Sequence, residues 1–241
     1  MRSQKTAAVI LTSSDVFDAD RSYLLFTKVL GKIRARGKGV RKPTSRLTGH
    51  LLPHLPCVIE LSESGGWYLI TSAQSDGAGA YPADSLEYLQ LAEVLAEGVD
   101  KLFVEHEPHP HVYDALVYTI ELLKDGNLNQ LIVLEFLLKC AVSLGYKPEL
   151  TVCVRSGEPL DPERLLWDSQ LGGVQNAEAG KSRTGLALDK ESVVALRQLS
   201  QPSFVAHRLR MQPEVQKQVQ SVILEYIQTI VGKPLRSVAF L

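Results

Sequence analysis

The sequence predicts an α+β protein in which a small β-barrel is followed by a helical domain. Short β-branched runs fill the first 75 residues, the clearest composition break is the Gly-rich stretch at residues 75–80, and apolar residues at helical spacing dominate the remainder. The chain has 241 residues, of which 45% are hydrophobic. Because this length can bury two modest cores, we predict one domain at residues 1–76 and a second at residues 77–241.

Five strands are predicted in the first domain. They lie at residues 6–11, 24–30, 32–36, 58–61 and 67–71, and turn-forming residues separate them. A turn-rich insertion stands between the third and the fourth, and residues 62–66 have the composition of a hairpin turn. Five short strands with such an insertion are typical of the OB-fold, which binds oligonucleotides on one strand face and the adjoining loops.

The second domain is predicted to be all-α, with an irregular lobe at about residues 147–187, where the periodicity fails. Asp84 and Ser85 are candidate caps for its first helix, and two later helices cover residues 189–199 and 213–231. The first three helices follow from apolar residues at helical spacing: Leu86, Leu89, Val94 and Leu95; Leu116, Ile120 and Leu123; Leu131, Leu134, Leu138 and Val142.

The charge of the chain is unevenly distributed. Its formal net charge is -1, yet residues 21–59 contain no Asp or Glu. Phosphate groups bind best to cations without neighbouring carboxylates, so this segment is the candidate nucleic-acid surface. The candidate binding residues within it are Lys28, Lys32, Arg34, Arg36, Lys38, Arg41, Lys42 and Arg46.

The third strand predicts how part of this surface is arranged. Basic and apolar residues alternate from Lys32 to Arg36, which places Lys32, Arg34 and Arg36 on one face and Ile33 in the core. Tyr23 is the candidate for a stacking aromatic among the cations, because Phe26 is expected in the core. We therefore expect contacts to the phosphate backbone more than to bases.

No catalytic or metal site is predicted, and the protein is expected not to be an enzyme. The Gly31–Gly39 loop and the Gly180-Lys181-Ser182 run both depart from the phosphate-loop pattern. His106, His109 and His111 are separated by prolines, which favours an exposed linker between helices over a metal site. We expect no bound cofactor.

The cysteines and the ends of the sequence give expectations about the compartment. Cys57, Cys140 and Cys153 are not closely spaced, so a disulfide framework is not expected, and Cys57 and Cys140 read as buried small hydrophobes. There is no signal peptide pattern and no long apolar span. We expect a cytoplasmic protein.

The ordered motifs of both domains resemble the bacterial RecO family of recombination mediators. In the first domain they are Asp15 to Arg21, Gly31-Lys32-Ile33-Arg34, Lys38-Gly39-Val40-Arg41 and Ser45-Arg46-Leu47. In the second they are Leu144-Gly145-Tyr146-Lys147-Pro148, Ser156-Gly157-Glu158-Pro159-Leu160, Leu171-Gly172-Gly173-Val174 and Lys233-Pro234-Leu235-Arg236-Ser237. The order and spacing of these motifs carry the resemblance.

This resemblance implies a function in DNA repair and recombination. Such a mediator binds single- and double-stranded DNA, promotes annealing, and helps RecA onto strands covered by single-strand-binding protein, together with RecR. Two alternatives stay open from the residues alone. One is an OB-fold interaction scaffold, and the other is an RNA-binding protein, since RNA also presents phosphates.

Two departures from the family pattern carry expectations of their own. Many RecO proteins have two Cys-x2-Cys pairs in the lobe, whereas the four positions here are Cys153, Ser156, Asn176 and Ala179, so we expect a metal-free lobe held by packing. The arginine that precedes a Phe-Glu pair in the family is absent from the run Val133 to Phe136. Docking of the acidic tail of single-strand-binding protein by that route is therefore in doubt.

Overall fold

The computed structural model describes residues 2–75, 86–178 and 185–241. Ser75, the first residue of the predicted Gly-rich break, is the last residue of a β-strand. The rest of that break at residues 76–80, the cap candidates Asp84 and Ser85, Ala179 and the Gly180-Lys181-Ser182 run lie outside the described residues. The chain forms two compact units, one of Met1–Leu128 with Ala239–Leu241 and the other of Asn129–Val238. The predicted domain boundary after residue 76 stays a prediction.

A closed five-stranded barrel occupies the first part of the chain. Its strands are β1 (Arg2–Val16), β2 (Asp20–Thr27), β3 (Gly31–Gly37), β4 (Pro56–Ser64) and β5 (Trp67–Ser75). They close in the order β1-β2-β3-β5-β4, with β3 and β5 parallel and all other neighbours antiparallel. This confirms the predicted five-stranded OB-fold barrel and the insertion between its third and fourth strands.

The barrel core follows the two-residue period of its strands. Ile10, Leu25, Ile33 and Ile59 point inward and are fully buried, while their neighbours along each strand face outward or pack on helices. The β3–β4 loop also contributes to the core, because Val40 and Leu51 are buried in the same cluster.

Two helices complete the first unit, α1 (Leu86–Leu102) and α2 (Pro110–Lys124). The buried face of α1 is formed by Tyr88, Leu91, Leu95 and Val99, which recur at helical spacing. Leu86 and Leu89 were expected on that face, but both are exposed. Leu86 and Leu89 lie on another side of α1 than the buried face formed by Tyr88, Leu91, Leu95 and Val99.

The described residues of the second unit form three α-helices, α3 (Gln130–Ser143), α4 (Lys190–Leu199) and α5 (Pro213–Val231). The side chain of Asn129 caps α3 by accepting a hydrogen bond from the backbone N–H of Leu131, 2.9 Å away. Buried Glu135 on α3 accepts hydrogen bonds from the backbone N–H groups of Val205 and Ala206. The five predicted helices are confirmed.

The predicted irregular lobe contains a small antiparallel sheet that the sequence did not reveal. Its strands are β6 (Leu165–Asp168), β7 (Gly173–Asn176) and β8 (Leu186–Leu188), in the order β7-β6-β8. Trp167 on β6 is buried against Tyr226 of α5, with ring centroids 5.2 Å apart. Aromatic packing of this kind stabilises the lobe.

Candidate nucleic-acid interface

Strand β3 presents its cations as the alternation predicts. Ile33 and Ala35 lie in the barrel core, and Arg34 and Arg36 are exposed on the opposite face. Lys32 shares that outer face but is only 7% exposed. The three cations therefore lie on one face and differ in how accessible they are.

Lys32 and Arg34 are paired by acidic residues at the end of α1 and in the segment that follows it. The ammonium of Lys32 donates to the backbone carbonyl of Asp100 at 2.5 Å and to its carboxylate at 3.1 Å. The guanidinium of Arg34 donates to the carboxylate of Glu105 at 3.0 Å. Glu105 also forms a parallel β-bridge with Lys32, and the backbone N–H of His106 donates to the carbonyl of Lys32, so this segment pairs with the edge of β3 at Lys32.

Gly31 is required for this close approach. Its φ of 68° lies in the left-handed region, and a Cβ atom there would stand 2.0 Å from the carbonyl oxygen of Glu107. Nearby, Lys28 donates to Asp114 of α2 at 2.7 Å. Both ends of the β2–β3 turn are thus held by acidic residues of the helical part of the unit.

The other end of β3 is organised by the mostly buried carboxylate of Asp20. It accepts hydrogen bonds from the backbone N–H of Gly39 at 2.7 Å and from the guanidinium of Arg36 at 2.7 Å. The Gly39 N–H is the main reason that the pKa of Asp20 lies below its usual value; burial opposes this, and Arg36 adds to it. Asp20 therefore links β2, β3 and the loop that follows β3.

Arg41 ties this loop to the tip of the β1–β2 hairpin. Its guanidinium donates to the backbone carbonyls of Phe17 and Asp18 at 3.5 and 3.4 Å, and lies 3.3 Å from the carboxylate of Asp15. Asp15 also pairs with Arg21 at 2.8 Å. Arg41 thus has a positioning contact as well as a shared ion pair.

Lys38, Lys42 and Arg46 form the unpaired group among the predicted cations, called here the loop cations. All three are exposed on the β3–β4 loop, and no ion pair involves them among the described residues. The loop itself is ordered by turns, with Lys42 N–H donating to Gly39 and Ser45 N–H donating to Lys42. The loop cations are therefore the positive charges most available to a phosphate chain.

The stacking residue sought among the cations is not where the sequence suggested. Tyr23 and Phe26 are both buried, Phe26 as predicted. Two aromatic side chains at the tips of the β1–β2 and β4–β5 hairpins are instead exposed, Phe17 at 76% and Trp67 at 73%. The sequence does carry a signal for this exposure. Phe17 lies in a turn between two β-runs, and Trp67 directly follows Gly65-Gly66, so both positions are typical of hairpin tips.

The histidine-rich segment joins α1 to α2 as predicted, but it is not an exposed linker throughout: His111 lies in the first turn of α2, and His109 is partly buried. Residues 103–109 connect α1 to α2, and the ring of His109 packs at a tilt against Phe103 with centroids 4.7 Å apart. Cys57 and Cys140 are buried, and burial raises the pKa of Cys57 to about 12. Among residues 2–75, 86–178 and 185–241, no three His, Cys, Asp or Glu side chains gather as a metal site would require.

Comparison with known sequences identifies the family. The family models described as Recombination protein O N terminal and Recombination protein O C terminal match residues 1–76 and 83–239. The chain belongs to the RecO family. The models divide it between residues 76 and 83, close to the predicted domain boundary, whereas the compact units divide after Leu128.

Curated proteins named DNA repair protein RecO match this chain along nearly its whole length. DNA repair protein RecO of Roseiflexus sp. (strain RS-1) is 28% identical, covering 100% of this chain and 85% of the relative. That of Dehalococcoides mccartyi (strain BAV1) is 28% identical over 98% of this chain and 94% of the relative. The protein of the same name from Pelotomaculum thermopropionicum is 29% identical, covering 100% and 94%.

The lobe of this RecO member surrounds its single cysteine with hydrogen-bond donors. The thiol of Cys153 is buried and accepts from the backbone N–H of Asn176 at 3.4 Å. Burial raises the pKa of Cys153, but hydrogen bonds from the Ser156 side chain and from the N–H groups of Asn176, Ser156 and Arg155 outweigh it and lower the pKa to about 7. Asn176 also donates to the carbonyl of Pro159. Hydrogen bonds thus connect the turn at residues 153–159 to strand β7 at Asn176.

The start of α3 is packed inside the second unit. Val133, Leu134 and Phe136 are fully buried there, and Glu135 binds the backbone of residues 205–206. None of these four side chains is accessible to a docked peptide within this unit. Separately, no helix in the described part of the chain is long and apolar enough to cross a membrane.

Proposed function

We propose that this RecO member is a non-catalytic DNA-binding protein of DNA repair, which grips the phosphate backbone through its barrel. The observation that carries the proposal is the exposed group of loop cations, Lys38, Lys42 and Arg46, next to Arg36 and Arg41 on one end of the barrel. Each neutralised phosphate releases counterions, and within the described part of the chain no ion pair of the loop cations must first be broken.

The paired cations contribute according to the strength of their pairs. Arg34 and Glu105 are both partly exposed, and such pairs are worth about 0–1 kcal/mol, so a phosphate can replace Glu105 at little cost. Lys32 and Asp100 are mostly buried, and uncoupling such a pair costs about 3–5 kcal/mol. We therefore place Arg34 in the proposed surface and assign Lys32 to the structure of the unit. Arg36 joins the surface through its own side chain, which is 47% exposed, although its partner Asp20 is mostly buried.

Binding of this kind supports the annealing of complementary strands. Cations that screen phosphates lower the repulsion between two DNA backbones and leave the bases free to pair. The family resemblance extends the proposal to assistance of RecA loading together with RecR, on strands covered by single-strand-binding protein. No bond is made or broken by the protein in this scheme.

The test is a titration of fluorescent single-stranded DNA with the full chain across a salt series. If about six phosphates are neutralised by the loop cations, Arg34, Arg36 and Arg41, the log-log slope for a single strand is near -4. Parallel titrations with duplex DNA and with RNA of the same length compare the polymers. A slope near zero for DNA contradicts the proposal, and a marked preference for RNA favours the RNA-binding alternative.

A further inference from the structure

Phe17 at the tip of the β1–β2 hairpin occupies an unfavourable position for a large side chain. Its φ is 56°, in the left-handed region that glycine and asparagine adopt with least strain. The side chain is 76% exposed, so burial of the ring offsets little of the conformational strain. Strained residues of this kind concentrate at binding sites, where the side chain is needed outside the fold.

The surroundings of Phe17 prepare one face of its ring. The guanidinium of Arg36 lies over the ring, 4.6 Å from its centroid. Arg41 holds the backbone carbonyl of the same residue, which fixes the hairpin tip. With one face on Arg36 and most of the side chain exposed, the ring can accept a flat partner on its other face.

Trp67 stands across β3 from Phe17, in the first position of β5. The following residue, Tyr68, pairs with Ala35 and packs on the barrel core, so Trp67 points outward level with Arg34. Trp67 is 73% exposed. The outer face of β3 thus carries two arginines between two exposed aromatic rings, on the hairpins that flank the binding face of an OB-fold.

We propose that Phe17 and Trp67 are stacking platforms for two bases of a single DNA strand whose backbone contacts Arg34 and Arg36. This inference rests on the proposed function and adds a base-contacting element to it. Aromatic rings bind any base through its π-face, and the alternating cations favour a polyanion over an apolar partner. Because bases in a duplex are already stacked, the site favours single strands.

The experiment compares oligodeoxythymidine with an abasic strand of equal length, using the full chain and the variants Phe17→Asn and Phe17→Trp. Asparagine tolerates a positive φ, so Phe17→Asn is expected to fold at least as stably as the parent. We expect it to bind oligodeoxythymidine about tenfold more weakly, with unchanged affinity for the abasic strand and an unchanged salt slope. Phe17→Trp retains the affinity, and Leu86→Asn, which alters an equally exposed apolar residue, changes neither.

Trp67 supplies its own signal, because the only other tryptophan, Trp167, is buried. Oligodeoxythymidine is expected to quench the emission of the parent, and the quenching is lost in Trp67→Phe. Equal binding of both strands by the parent overturns the stacking proposal and leaves the proposed function intact. Binding of neither strand defeats the proposed function itself. If Phe17→Asn weakens both strands equally, the hairpin tip shapes the phosphate surface and the stacking proposal is wrong.

Discussion

Strand β3 and the loop that follows it come from the same acid-free stretch of sequence but differ in their electrostatic surroundings. On β3, Lys32, Arg34 and Arg36 are matched by Asp100, Glu105 and Asp20. On the loop, Lys38, Lys42 and Arg46 have no ion pair among the described residues. Absence of acids along the chain therefore does not mean absence of acids in space, and the loop keeps more of the predicted positive charge available than β3 does.

The largest expected effect concerns Lys32 and tests whether it is structural. Lys32→Ala removes one of the two cations that pair with Asp100, whose carboxylate is mostly buried. We therefore expect the free energy of unfolding to fall by about 3 kcal/mol. Lys28→Ala, which breaks an exposed pair with Asp114, is the control and costs about 1 kcal/mol or less. Urea denaturation followed by circular dichroism measures both. Equal losses in the two variants contradict the distinction drawn between buried and exposed cations.

The next effect concerns the loop cations and their share of DNA binding. Replacing Lys38, Lys42 and Arg46 together by alanine removes three phosphate contacts, which makes the single-strand salt slope shallower by about 2 units. The matched control removes the same charge from exposed lysines of the second unit, at Lys147, Lys217 and Lys233. Fluorescence titration across salt concentrations measures both slopes. A similar change in the control means that binding is not confined to the barrel loop.

A smaller, pH-dependent effect concerns Asp20, which joins β3 to the loop. Its pKa is lowered in the folded protein, so its ionised form stabilises the fold above the ordinary value of 3.8, and this contribution is lost as pH falls through the lowered value. The stability difference between the parent and Asp20→Asn is therefore expected to shrink on acidification. Thermal unfolding at pH 6 and at successively lower pH measures it, with Asp18→Asn as the control on the same hairpin. A difference that stays constant with pH excludes this role.

The smallest expected effect concerns Glu105, which competes with phosphate for Arg34. Glu105→Gln frees Arg34 at the cost of an exposed pair, so we expect DNA affinity to rise by about two- to fivefold. Glu121→Gln removes an equal charge from α2, where Glu121 pairs with Lys124. An equal rise in that control attributes the effect to net charge, and no rise in either shows that Arg34 is outside the DNA surface.

The fold could be predicted from the sequence because its signals are local. Alternation places Ile33 and Ala35 inside the barrel, and helical spacing identifies all five helices. The sheet of the lobe was missed because its strands have only three or four residues, too few to establish a period. The exposure of Leu86 and Leu89 depended on which stripe of α1 meets the barrel, which is a tertiary property.

The candidate site was predicted less completely, for reasons of sequence distance. The cations were located, but their partners Asp100, Glu105 and Asp114 lie 68 to 86 residues further along the chain from Lys32, Arg34 and Lys28. Phe17 precedes the acid-free segment in the sequence, and only the folded hairpin places its ring beside Arg36. Local patterns identify strands, and only the folded chain shows which side chains meet.

The segment after α1, which includes Phe103 and Glu105, determines which fragments of this protein can be expressed in a folded state. Phe26 is fully buried, and its ring lies 5.5 Å from that of Phe103, beyond the barrel strands. A fragment that ends at residue 76 would expose Phe26 to solvent and would leave Lys32 without Asp100. We therefore expect such a fragment to aggregate on expression, whereas one that ends at Leu128 retains the covering segment and stays monodisperse.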